Sequence, residues 1–180
     1  MYRARTLGFE IIYEAGQEGA LNNRELARRL RAISVALRIS RKGGSIVFVD
    51  DKQIHKLNKT YRHKNKPTDV LAFAMQEGEF SAVSPDVLGD VVISVPTAAK
   101  QAVRAGHTLL EEVTMLLVHG LLHLLGWDHD TDAKDVAMRR ETDRLCRLAR
   151  TGTTKRSAAG KAGAPRKKVA AKTVRRRPPS

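Results

Sequence analysis

The stretch His119-Gly120-Leu121-Leu122-His123-Leu124-Leu125-Gly126-Trp127-Asp128-His129 holds three of the six histidines in this 180-residue chain. The residues that lead through it, Glu111 to Leu125, are apolar at helical spacing (Val113, Leu116, Leu117, Leu121, Leu124), which predicts a core helix carrying His119 and His123 on its surface. Four residues along an α-helix amount to about 400° of rotation and roughly 6 Å of rise, so both imidazoles leave one face and can reach one ion. Gly126 is placed to end that helix, because glycine tolerates the left-handed conformation that often follows a helix C-terminus. The chain can then turn and bring His129 back toward the same point. Three nitrogen ligands on a helix and a turn suit one tetrahedral zinc per chain, with the fourth position left to water or substrate.

Ordinary histidines in or beside a core are the alternative. Buried imidazoles each need hydrogen bonds, however, and the surrounding leucines and valine supply none from their side chains. The spacing is that of the elongated zinc-protease motif H-E-x-x-H-x-x-G-x-x-H, with glycine at position 120 in place of the glutamate. That glutamate is the general base of the peptidases, and Gly120 has no side chain to replace it. The ligand pattern therefore points to another hydrolysis, or to a metal without catalytic duty.

Lysine and arginine number 33 against 19 acidic residues, a formal charge of +14. Ten of the cations lie between Thr151 and Ser180, among them Arg166, Lys167, Lys168, Arg175, Arg176 and Arg177, with no acidic residue to offset them. Positions 1–150 are thus only mildly basic. The length fits one domain with its own core over 1–150. The tail, 151–180, is rich in Ala, Lys, Arg and Pro and too poor in large apolar side chains to offset its ordering entropy, so it is expected to be disordered and to attract phosphate backbones. Cys146 is the single cysteine, expected to pack as a small apolar residue. Met1 to Gly16 contains no apolar run of signal-peptide length and no stretch approaches a membrane span, so a soluble cytoplasmic protein without membrane contact is expected.

Elsewhere, Leu7 to Tyr13 reads as a first strand. A helix from Arg24 to Ile39, capped by Asn22 or Asn23, follows from the stripe Leu26, Leu30, Ile33 and Leu37. Gly43-Gly44 breaks the pattern before a buried strand, Ser45 to Val49. A helix from Lys52 to Tyr61 leads into the cationic connection Arg62-His63-Lys64-Asn65-Lys66-Pro67, whose Lys64 and Lys66 are candidate RNA contacts. Strands are expected at Thr68 to Phe73 and Leu88 to Ser94, with a loop from Glu77 to Pro85 between them. A helix from Val95 to Ala105, the histidine helix and a last helix reaching Ala149 complete an α/β (α+β) domain with a small mixed sheet packed by helices. Asp130, Asp132 and Asp135 fall where the positive end of that last helix favours acids.

The histidine stretch from Val118 to His129 resembles the signature of the YbeY family of bacterial and organellar rRNA maturation endoribonucleases. Leu57-Asn58, Tyr61-Arg62, Lys64 and Pro67-Thr68-Asp69-Val70-Leu71 with Phe73 resemble a second block of that family, and Leu88 to Ser94 a third. This sequence departs from the pattern at Ala72 and Ala74, where serine and proline are expected, and at Trp127, where tyrosine is usual. The resemblance implies a single α/β domain, zinc on His119, His123 and His129, and Arg62 as the catalytic cation. It also implies cleavage of single-stranded RNA in 16S rRNA 3′-end processing on the small ribosomal subunit and in ribosome quality control. The chemistry agrees: phosphodiester cleavage develops charge on phosphoryl oxygens, and a guanidinium matches that geometry with two parallel donors. No side chain is assigned as general base. Asp69, Asp90 and Asp128 are candidates to orient a histidine or a loop. Two other readings stand beside this one, a metallopeptidase and a non-catalytic RNA-binding ribosome assembly factor with a zinc site.

Overall fold

The computed structural model describes residues 2–75 and 86–152. The expected loop at Glu77 to Pro85 and nearly all of the basic tail lie outside these residues. Within them, five strands form one mixed sheet: β1 (Tyr2–Thr6), β2 (Gly8–Tyr13), β3 (Gly43–Val49), β4 (Val70–Ala74) and β5 (Val87–Ser94), in the order β1-β2-β3-β5-β4. β2, β3 and β5 run parallel, and β1 and β4 join antiparallel at the two edges. Five helices accompany the sheet: α1 (Asn23–Ala36), α2 (Asp51–Arg62), α3 (Val95–Ala105), α4 (Leu109–Leu124) and α5 (Asp132–Thr151).

Period-two alternation sorts the strands into two apolar faces. Ile11, Ile46 and Val91 are in register across three strands, as are Tyr13, Phe48 and Ile93, and these rows are buried with residues of α1, α4 and α5 in the larger core. Val49, Leu71 and Val92 face the other way and pack with Ile54 of α2 in a smaller core. The helix ends follow their caps: Asn22 accepts from the Glu25 N–H, and Asp50 with Gln53 and Thr108 with Glu111 form capping boxes. Asp132 and Asp135 lie in the first turn of α5, where the helix dipole favours them.

Two differences from the sequence reading have physical causes. The expected first strand is half of a hairpin, because Leu7 adopts φ +55° and turns the chain between Thr6 and Phe9, which pair across it. No Asn-Gly or Asp-Gly pair announces that turn. Gly43-Gly44, expected to precede β3, lies inside it: a Cβ on Gly44 would stand 2.1 Å from the Gly89 carbonyl oxygen on β5. These glycines allow close approach of neighbouring strands rather than marking the end of one.

Candidate metal centre and active site

The helix α4 lies across β4 and β5 and brings the histidines to the sheet's β4 side. It can lie close because the residues between are small. Gly120 is buried against Val91, and a Cβ there would stand 2.6 Å from Val91 Cγ1. Ala72, opposite Val91 on β4, packs against the same core, as does Ala74. Position 120 therefore points into the sheet and away from solvent. A glutamate could not be accommodated there without displacing Val91, which removes the peptidase base on steric as well as chemical grounds.

The end of α4 explains how His129 reaches the cluster. Gly126 takes φ +80°, its N–H donates to the His123 carbonyl, and the Trp127 N–H donates to the Leu122 carbonyl. This is a Schellman closure, which reverses the chain just past the second histidine. Asp128 then accepts from the backbone N–H groups of His129 and Asp130 and pairs with Lys134, so its carboxylate shapes the turn that carries His129. Asp90 sits on β5 opposite Phe73, with no hydrogen bond to the histidines among the described residues.

Among the described residues, His119, His123 and His129 form one cluster whose donor nitrogens all lie within 4.8 Å of one another. His119 Nε2 and His123 Nε2 are 3.1 Å apart. Two nitrogens at about 2.05 Å from a common tetrahedral ion would be separated by about 3.3 Å, so the pair already has the spacing of shared coordination. His119 and His123 are half-buried and His129 is exposed, leaving an open side. Burial pushes the His119 and His123 pKa values below their ordinary range, with the neighbouring imidazoles adding to the shift. The lowered values favour the neutral ring, the form that ligates metal.

Arg62 closes α2, where His63 follows in the left-handed conformation at φ +55°. Its Nη2 donates to the Ala72 carbonyl on the outward edge of β4 at 3.2 Å, and its charge is near enough to contribute to the lowered pKa of His123. Lys64 and Lys66 are exposed in the loop that follows. That loop is tied down by buried Asn58, which donates to the Lys66 carbonyl and accepts from the Lys64 N–H through its own carbonyl. Asp69 accepts from Thr68, from the Val70 N–H and from Gln101, and its charge acts on His119. Arg166, Lys167, Lys168, Arg175, Arg176 and Arg177 lie outside the described residues. Sequence reasoning missed Met138 and Thr142 of α5, which line a cavity with His119. Their sole signal was a shared stripe with Leu145 and Ala149 at helical spacing.

Residues 20–149 match the family model described as Endoribonuclease YbeY. The chain belongs to the YbeY family. Among its YbeY relatives, the Endoribonuclease YbeY of Geobacillus kaustophilus is 43% identical over 139 residues, covering 73% of this chain and 88% of that protein. The YbeY of Pelotomaculum thermopropionicum is 52% identical over 103 residues, 56% of this chain and 68% of the relative. A solution structure of a Thermotoga maritima protein superposes with a TM-score of 0.57 at 25% identity, covering 85% of this chain and 99% of that one. The YbeY match takes in α1 through nearly all of α5, and so the three histidines and Arg62 with them. No helix among the described residues is long and apolar enough to cross a membrane.

Proposed function

We propose that this chain is a zinc-dependent endoribonuclease that cuts single-stranded RNA. Its setting is rRNA maturation at the 3′ end of the 16S rRNA of the small ribosomal subunit, with ribosome quality control as a second duty. The observation that carries this reading is the convergence of three histidines on α4 and its following turn, with Arg62 tethered to β4, the strand on which α4 packs. Membership of a family described as Endoribonuclease YbeY supports the choice of RNA as substrate.

In this reading His119, His123 and His129 hold the ion, and burial favours the neutral, ligating form of His119 and His123. The ion, when bound, supplies Lewis acidity toward a phosphoryl oxygen and lowers the pKa of the attacking water. Arg62 places a two-donor cation beside the same phosphate, where charge grows during bond breaking. Its tether to a backbone carbonyl aims the guanidinium before substrate arrives. Lys64 and Lys66 contact flanking phosphates and position the strand without reading sequence. The buried orientation of position 120 argues against a peptidase.

The test is cleavage of a single-stranded RNA by the purified full-length protein, with and without a chelator, alongside a peptide substrate and elemental analysis. RNA cleavage abolished by the chelator and restored by zinc is the expected result. Tight zinc binding with RNA bound but uncut would favour an assembly factor, and peptide cleavage would favour a protease.

A further inference from the structure

A cavity of about 380 Å³ opens beside the histidine cluster, between α4, α5 and the start of β4. That volume lies within the roughly 300 to 1,000 Å³ of small-molecule sites. His119 stands in its lining, with apolar Val70, Leu116 and Met138. Thr142, also in the lining, is 8% exposed, and its Oγ1 is buried with no hydrogen-bond partner. Buried hydroxyls without partners are rare in folded proteins, because a lost hydrogen bond is not recovered from water. Thr142 belongs to the cavity lining, and a ligand seated there is one source of the partner its hydroxyl lacks. The neighbouring Asp143 also lines the cavity, is exposed, and makes no hydrogen bond or ion pair among the described residues.

We infer that this cavity is a nucleobase subsite, which takes the base next to the phosphate held at the histidines and prefers a base carrying an exocyclic amino group. The inference rests on the nuclease reading for the phosphate and on the cavity for the base. A phosphate placed at His119 leaves the adjoining nucleoside within reach of a space that shares His119 as a wall. The apolar side chains of Val70, Leu116 and Met138 in the lining suit the face of a base. Asp143 can only accept hydrogen bonds and Thr142 can do either, so the pair is matched by the amino groups of cytosine or adenine. Uracil instead offers carbonyl oxygens on both sides of its one N–H, and these would face the Asp143 carboxylate.

Full-length, metal-loaded protein is titrated with fluorescent 2′-O-methyl pentanucleotides: all-uridine, and the same strand with one cytidine or adenosine at each position in turn. The wild type is expected to favour an amino-bearing base at a single position by about five-fold, the value of one hydrogen bond. Thr142→Val, which keeps the shape and removes the hydroxyl, is expected to lower that preference toward unity while raising Tm, since an unpartnered buried group is lost. Thr142→Ser is expected to restore the preference. A role in packing alone would raise Tm in Thr142→Val and leave the preference unchanged, which would overturn the inference, as would a wild type indifferent to the base at every position. Cleavage of unmodified RNA is scored separately. Preference without cleavage would overturn the nuclease reading and leave the subsite standing, and cleavage without preference would do the reverse.

Discussion

Arg62 Nη2 donates to the main-chain carbonyl of Ala72 at 3.2 Å, across ten residues of sequence. The acceptor belongs to an edge strand whose other side is paired with β5, so the arginine is anchored to the sheet rather than to a mobile side chain. Substituting Ala72 by another small residue would leave this anchor in place. Removing the guanidinium would not, and the consequences are specific.

Arg62→Ala should lower the rate of RNA cleavage by about 10² to 10³, the usual cost of removing a preorganised charge-stabilising donor, with metal content and Tm unchanged. Arg62→Lys should recover part of the rate, because it keeps the charge and loses the two-donor fork. Single-turnover kinetics with elemental analysis measures both. Wild-type rates in Arg62→Ala would remove the arginine from the mechanism.

His123→Ala should reduce bound metal from about one ion per chain to near none, since two remaining nitrogens make a weak zinc site. Elemental analysis of protein purified without added metal is the measurement, with circular dichroism to verify the fold. Retention of a full equivalent in this variant would place the ion elsewhere.

Gly120→Ala should destabilise the domain by about 1 to 3 kcal/mol, the cost of overpacking a filled core, because the new methyl meets the stiff side chain of Val91 at 2.6 Å. Urea unfolding reads the change. An unaltered midpoint would mean that α4 can rise from the sheet at no cost, and the steric argument against a glutamate at this position would fail with it.

Asp51 ties the start of α2 to α3 by accepting from the hydroxyls of Ser94 and Thr97 and from Lys100. These bonds, the Ser94 hydroxyl foremost, lower its pKa from 3.8 to about 2. A carboxylate depressed in the folded state adds stability above its unfolded pKa and loses it as the pH falls toward the folded value. Asp51→Asn should therefore be less stable than the wild type at pH 7, by about 1 to 3 kcal/mol for hydrogen bonds to a charged group, and the gap should narrow between pH 4 and pH 2. Denaturant titrations across that range measure it. A gap that stays constant with pH would show that the carboxylate's charge contributes nothing.

Deleting residues 153–180 leaves α5 and its Gly152 cap intact and removes ten cations that no acid offsets. RNA affinity should weaken and its salt dependence flatten, by about 0.7 in slope for each phosphate that the tail no longer neutralises. The tail has no aromatic side chain to stack on bases, so cleavage at saturating RNA should change little. Equal affinity and slope in the truncated protein would assign the tail to another task.

Local pattern alone determined the parts of this protein that repeat along one helix or strand. The spacing of His119 and His123, the stripe of Leu26, Leu30 and Ile33, and the α3 boundaries at Val95 and Ala105 follow from periodicity and capping, which act within a few residues. Gly126 was legible as the helix stop for the same reason, since its φ of +80° is a property of one residue. Tertiary structure decided what depends on chain segments far apart in sequence. The partner of Arg62 is a carbonyl, which every residue carries and no side chain announces. The fit of Gly120 depends on Val91, and the in-strand role of Gly44 depends on Gly89, each a neighbour only after the sheet has formed. Thr142 looked like one polar residue on the stripe of α5, and only the packing of α5 against α4 buried its hydroxyl without a partner in the wall of a cavity shared with His119.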